Sequence, residues 1–600
     1  MTASAAGAVA IDEGGEIQLG ARAYTAARVG TQDTDIRIVE QAPGRITERS
    51  LTFPVSAAGH LRQSRAFVEA TWSHNLTRLL KEGFGPLALL RETGLPVRKL
   101  GYFLSYRGEY DGVYDYGPAE YRTHFQFDNQ RLAPPSPFGP LPNTAYYRQR
   151  LRNIASVRNR LFQAYIEADF EDLYLRFGRQ ILAWGETDVF RLLDNINPLD
   201  NSFGGFLVPL DERRVPIDML RVSYNVGEIP FTPFYEAYIE GFGAIDNAVG
   251  FDPGIPTGSP WAPPNTIPSA SQLNVIDGPP RTISAMRGGF QFKFISPMPG
   301  VEQTTFGFAH YYTYLDNPGV EVFTENFPFP ITSGQATGFV ARANQTAPKV
   351  QITGATAAAA IPPEWARKIF LSSEPIVRTE LAYFHNEPRW SQAQLDPFIF
   401  ALPANGQACP RGVEYGNGVC SGGRRTGDSW NFMLGFDTNQ AVRWLNPDAS
   451  FFISSQFFYK HLRGGIPRRP VVTPAAPLAG QPPIFEGEVL PVTGVTWSPD
   501  RWGLATAAAE PDLVHNPVDQ YLNTLLIATS YYGGRVTPSV GLLYDWGGAI
   551  TVQPAVTYLQ DPFRFVFSYS YIYAGHLFGS QGISLLRDRD NVLFQVEYSL

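Results

Sequence analysis

Between Phe563 and Tyr573 every second residue is aromatic. Phe563, Phe565, Phe567, Tyr569, Tyr571 and Tyr573 share one face of an extended chain, and Arg564, Ser568 and Ser570 share the other. Successive strand residues point to opposite faces, so this segment has one greasy side and one polar side. Its length matches the ~9 to 11 residues with which a tilted strand crosses a bilayer. A soluble sandwich buries one such strand but does not repeat it. Here it repeats. Ile550, Val552, Pro554, Val556 and Tyr558 oppose Thr551, Gln553 and Thr557, and Val536, Val540, Leu542, Tyr544 and Trp546 oppose Thr537, Ser539 and Asp545. Phe290, Phe292 and Phe294 oppose Gln291 and Lys293, while Trp430, Phe432, Leu434 and Phe436 oppose Asn431 and Asp437. At the C-terminus Val592, Phe594, Val596, Tyr598 and Leu600 share a face against Asn591, Gln595, Glu597 and Ser599. That strand resembles the terminal signal read by the outer-membrane barrel assembly machinery, with Leu600 in place of the usual Phe.

Composition agrees. Charged residues are 17% of the chain, against about 25% in ordinary domains, and aromatics are 14%, with 42 Phe and 29 Tyr. The 56 Gly and 50 Pro imply frequent turns. A mean hydropathy of -0.15 looks soluble, but a membrane barrel alternates lipid-facing and lumen-facing residues and so averages to such a value. No stretch approaches the ~18 apolar residues of a spanning helix. The net charge of -8 argues against nucleic acid as a partner, since binding it needs a basic stripe. The expected surroundings are outer-membrane lipid and lipopolysaccharide.

Threading the alternation gives an all-β, transmembrane antiparallel β-barrel of about 18 strands, with 16 as the alternative. The strands fall near 16–26, 60–73, 97–107, 161–169, 172–181, 217–226, 232–241, 283–295 and 301–315, then weakly near 338–352. They continue near 375–386, 428–437, 449–460, 519–531, 535–546, 549–559, 562–574 and 591–600. Short turns at 169–171, 296–300, 533–534 and 560–561 then share the periplasmic side, and the long stretches 108–160, 242–281, 387–427 and 463–518 lie outside. Residues 11–600 read as one barrel domain, and 1–10, ending in Ala8-Val9-Ala10, as the remnant of a signal peptide. Two segments break the pattern and read as short helices: 74–92 on the periplasmic side, and 146–162, rich in arginine, as a loop or lumen element. Cys409 and Cys420 are spaced for a loop disulfide.

At Phe177 the chain reads FGRQILAWGETDVFRLLDNINPLD. Gly178, Arg179 and Gln180, then Trp184, Gly185 and Glu186, then Asn195, Asn197, Pro198 and Asp200 resemble the outer-membrane family catalogued as domain of unknown function 1302. The resemblance implies a barrel beside RND-type exporters and periplasmic lipid-handling partners, moving hydrophobic molecules. On the residues alone, Arg176, Gly178 and Gln180 face the lumen and Arg179 faces lipid, where it belongs at the outer rim, because a cation at the bilayer midplane costs ~2 to 4 kcal/mol. Trp184 is expected in the aromatic girdle. Asn195, Asn197 and Asp200 are turn formers that, with Arg179, would pin an inward-folded loop, acting either as a structural brace or as a solute-contacting constriction.

Enzyme motifs are missing: there is no G-x-S-x-G elbow, H-E-x-x-H helix, C-x-x-C-H haem site or P-loop lysine. His310, His385 and His461 lie near strand ends and offer at most a chance dyad, so an outer-membrane hydrolase is the least favoured reading. Asp588 and Asp590 are explained by turn chemistry as well as by calcium, and no cofactor or metal is expected. Inward Phe452, Phe458, Val566 and Ile572 favour a channel for hydrophobic or amphipathic molecules over a general diffusion porin for polar solutes. A soluble sandwich or secreted adhesin is the remaining structural alternative.

Overall fold

The computed structural model describes most of residues 9–600. The longer stretches outside the description are 51–56, 122–151, 250–259, 262–270, 327–338, 389–413, 464–517 and 575–588, with shorter breaks between them.

One antiparallel sheet carries the molecule. It has nineteen members, of which Val9–Ala10 is a two-residue stub paired with Leu19 and Gln18, leaving eighteen wall strands. They are β1 Ile17–Gly30, β2 Leu61–Asn75, β3 Lys99–Asp111, β4 Val157–Phe170, β5 Leu173–Gln180 and β6 Ile217–Gly227. Next come β7 Tyr235–Ala244, β8 Arg287–Met298, β9 Val301–Thr313, β10 Val350–Ala360, β11 Ile376–Pro388 and β12 Thr426–Gln440. The last are β13 Phe451–Leu462, β14 Asp519–Ala528, β15 Val536–Asp545, β16 Ala549–Gln560, β17 Phe563–Ala574 and β18 Asn591–Ser599. Each pairs with its neighbours in sequence, and β18 returns to β1 with Arg22 opposite Ser599 and Gly30 opposite Asn591. Closure leaves no unpaired edge at the seam, which a wall surrounded by lipid requires.

The outward face follows the alternation read in the sequence. Phe567, Tyr571 and Tyr573 on β17, Val540 and Tyr544 on β15, Trp430 and Leu434 on β12, and Phe594 on β18 are all exposed. Near the end that carries the termini, Phe294 stacks among Phe234, Phe306 and Phe308. Aromatics also ring the opposite end, where Tyr383 lies against Trp430 and Tyr521 against Tyr459 and Trp546. Two aromatic girdles around an apolar band are the arrangement a bilayer selects.

The longest connections leave from the far end, and those at the termini end are short apart from β2 to β3 and β10 to β11, which carry short helices. Helices Thr77–Glu82 and Leu87–Glu92 sit in the connection from β2 to β3, as expected for 74–92. Two expectations need correction. The tenth wall strand is Val350–Ala360, whereas Phe339–Thr346 pairs with Ser271–Val275 and Gly319–Asn326 outside the barrel. The run of alanines in Val350–Ala360 carries little alternation, so the expectation near 338–352 rests partly on keeping the long loops on one side. The segment 146–162 is not a helix across its length. After a turn at Arg152–Ser156 the wall strand begins at Val157, and it places Arg158 and Arg160 inside, because each alternates with an outward residue. Residues 146–151, and with them Arg148 and Arg150, lie outside the described residues, as does Cys409; no side chain is described for Cys420.

Candidate functional site in the barrel lumen

β5 ends at Gln180 and β6 begins at Ile217, and the intervening chain turns into the barrel. Its root is built from the sequence motif. Gly178 has φ 128°, and a Cβ there would lie 2.3 Å from the Ala164 carbonyl oxygen, so only glycine allows β5 to pack against β4 at this point. Gln180 is fully buried. Asn197 joins the two legs of the loop: its Oδ1 accepts from the Leu182 amide at 2.8 Å, and its Nδ2 donates to the carbonyls of Gln180 at 3.3 Å and Val215 at 2.9 Å. Carbonyl and amine sit on one short stem, so one asparagine satisfies three backbone groups that would otherwise be stranded in the lumen. The Val215 amide closes the root by donating to Pro198 O at 2.8 Å. Gly178→Ala should lower barrel stability by ~1 to 3 kcal/mol from the backbone conformation alone. A lower urea midpoint for loss of heat-modifiable gel migration would show it, and an unchanged midpoint would contradict the close approach.

From this root the segment crosses the lumen as an amphipathic strap. Leu182, Trp184, Leu193 and Ile196 pack against Met219, Phe242, Tyr311, Ile352, Phe384, Met433 and Phe458, which line the inside of β6 to β13. Trp184 is therefore not in the outer girdle. It is 2% exposed and donates Nε1–H to Glu240 Oε1 at 2.5 Å, because the chain leaves the wall at Gln180 and carries the indole inward. Gly185 has φ 102°, and the space a Cβ would take is held by Glu380, whose Oε2 would be 2.7 Å away. Glu380 accepts from the Glu186 amide at 2.6 Å and the Leu193 amide at 2.5 Å. Asp188 is held by Arg378 at 2.7 Å and by Gln456 at 3.0 Å. Asn195 donates from its backbone to Tyr311 at 3.3 Å and from Nδ2 to Leu192 O at 2.7 Å.

The other side of the strap faces charge. Asp200 meets Arg158 at 2.6 Å and Arg160 at 3.7 Å, and caps its own turn by accepting from the Ser202 amide at 3.0 Å. Glu212 meets Arg22 at 2.9 Å and Arg65 at 3.1 Å and accepts from the Tyr24 hydroxyl at 2.7 Å. The wall adds Glu109, shared by Arg65 and Arg158, and Glu597, paired with Arg22. Phe203 lies under the guanidinium groups of Arg65 and Arg158 at 4.8 and 4.7 Å, a cation–π contact strengthened by exclusion of water. The strap thus rests one side on an apolar patch of β6 to β13, in which Glu240, Arg378 and Glu380 are set, and pairs its other side with the charged residues of β1, β2 and β4.

Burial pushes the Asp200 carboxyl up, but Arg158 and Arg160 outweigh it and hold the group down to about 2. Burial likewise opposes Glu212, and Arg65 and Arg22 hold it below the usual carboxylate range. Asp194, beside Arg191 and Arg214, is instead pushed up by burial. A carboxylate with a depressed pKa contributes its stabilisation above the unfolded value and loses it as pH falls through the depressed one. Hydrogen-exchange protection of the amides of 199–203 should therefore persist from neutral pH down to about 4 and be lost only toward pH 2. Loss already near pH 5 would contradict the pairing.

The motif residues that face inward gather at this strap. Arg179 does not join them. It is the last outward residue of β5, in register with Ala164 and Asp218, and the expected pin between it and the asparagines is absent because it points the other way. Arg176 faces in, bonded to Glu167 at 2.9 Å and lying over the Tyr165 ring. The strongest anchors outside the motif carry little sequence signal: Glu380 is an acid at an inward strand position, and Glu212 is an acid in a short helix of the strap. His385 and His461 point outward and accompany Asp428 and Asp519, each at 2.8 Å, and among the described residues no cluster suited to a metal occurs.

Below the root, β5 to β8 and residues 181–183 line an open cavity of about 430 Å³. Tyr174, Arg221, Tyr238, Glu240, Gln291 and Lys293 supply its polar lining.

No curated protein matches the chain. Solved structures similar in extent include Acinetobacter baumannii OccAB1, 9% identical, covering 99% of this chain and 97% of that one with a TM-score of 0.38. Pseudomonas aeruginosa OccK2 (OpdF) in complex with glucuronate is 9% identical, with coverage of 97% and 95% and a TM-score of 0.39. Pseudomonas putida OprB is 10% identical, with coverage of 98% and 94% and a TM-score of 0.34. Identity and scores this low make these likenesses of extent only. The family model described as protein of unknown function (DUF1302) matches residues 1–600, the whole chain, and the protein belongs to that family.

Proposed function

We propose that this protein is a channel of the bacterial outer membrane for hydrophobic or amphipathic small molecules, gated by the strap of residues 181–216. The end carrying the termini then faces the periplasm. One observation carries the reading: the lumen wall under the strap holds a large apolar patch, including Met219, Phe242, Ile352, Phe384, Met433 and Phe458, away from the ionic cluster of β1, β2 and β4. A pore for ions and sugars has no use for phenylalanine and methionine along its bore. A molecule with a greasy body and a polar head matches both once the strap yields. The family resemblance adds the expectation of a periplasmic or RND-type partner supplying or receiving the solute at the termini end.

Reconstitution tests this. Purified protein in planar bilayers should show low resting conductance and bind apolar ligands that small sugars do not displace. Free passage of small sugars and ions without apolar binding would make it a general diffusion porin.

A further inference from the structure

The cavity of about 430 Å³ below the strap root is unevenly charged. Arg221 is spent on Glu240, at 2.6 Å from Nε and 2.5 Å from Nη2. Glu240 is saturated, since Ser223 donates to it at 2.9 Å and Trp184 at 2.5 Å. Lys293 is different. Its nearest carboxylate is Glu186, at 3.7 Å, beyond hydrogen-bond reach. Glu186 is on the strap, two residues past Trp184 and next to Gly185. The ammonium therefore faces a cavity roomy enough for a small organic molecule, with Ile181, Leu182 and Ala183 as its less polar wall.

We propose that this cavity binds the anionic head of an amphipathic solute, and that the solute competes with Glu186 for Lys293. This rests on the channel reading and specifies its substrate class. An anion at hydrogen-bond distance from Lys293 makes a shorter, charge-assisted contact than Glu186 does. Occupancy then frees the strap at Glu186 from the β8 wall, so the solute weakens the barrier it must pass. Asp188 on Arg378 and Glu380 on the strap amides hold the strap to β11, and they hold it with or without solute.

The test uses three probes with one tail: octanoate, octylammonium and octanol, titrated calorimetrically into the full-length protein in nanodiscs, with matched empty nanodiscs subtracted. Octanoate is expected to bind at least ~10-fold more tightly than the other two, the scale of one charge-assisted contact. Lys293→Gln should abolish that preference and leave octanol unchanged, Lys293→Arg should keep it, and Glu186→Gln should strengthen octanoate binding by removing the competitor. Heat-modifiable migration confirms that each variant is folded. Equal binding of the three probes, or octanoate binding indifferent to Lys293→Gln, overturns the proposal. Octanoate selectivity in a protein that never conducts would sink the channel and spare the site; conduction without selectivity would do the reverse.

Discussion

Glu380→Ala is expected to convert a nearly closed barrel into an open one, raising single-channel conductance several-fold at neutral pH. The carboxylate accepts from the amides of Glu186 and Leu193, and it is fully buried. Removing it strands the buried Leu193 N–H, at ~1 to 3 kcal/mol, and leaves the half-buried Glu186 N–H without its acceptor. Leaving the wall gives those amides water, so the strap relieves the penalty by moving. Glu380→Gln keeps one acceptor oxygen and should produce a smaller rise. A Glu380→Ala protein with unchanged conductance would mean that the apolar packing of Leu182, Leu193 and Ile196 alone suffices to hold the strap.

Glu212→Ala acts at the other side. It removes the shared partner of Arg22, Arg65 and Tyr24. Breaking a buried ion pair from one side costs ~3 to 5 kcal/mol because the remaining charge stays desolvated, and here Glu597 and Glu109 still hold part of that charge. The expected result is a clear fall in the urea midpoint together with flickering conductance. Arg65→Met with Glu212→Leu, which replaces the pair by apolar volume, should recover much of the stability. If the double variant is no better than Glu212→Ala, the ionic contact is not the source of the loss.

The barrel could be read from the chain because its physics is local. Phe563 to Tyr573 must be a strand with a greasy side whatever surrounds it, and enough such strands fix closure and the sidedness of the loops. Val350–Ala360 escaped because alanine and glycine carry no contrast between lipid and lumen. The strap was half legible. Asn197 and Asp200 announce a turn, but what they hold depends on partners supplied by distant strands, and nothing near Glu380 or Glu212 in the chain marks them as anchors. Trp184 was misplaced for the same reason: an outward girdle position and an inward loop position look identical in a sequence until the end of the strand is known.

The strap also bears on how the wall can close. Arg22 on β1 and Glu597 on β18 come together last in the chain, and Glu212, made hundreds of residues earlier than Glu597, sits on the same guanidinium. Arg158 and Arg160 likewise share Glu109 with Asp200 from the strap. A barrel that sealed without its strap would keep Arg22, Arg65, Arg158 and Arg160 facing one another with two fewer acids between them, and their repulsion would fall on β1, β2 and β4, beside the closing seam. Asp200 and Glu212 therefore make the filled interior part of what lets β1 meet β18, not something added to a finished wall.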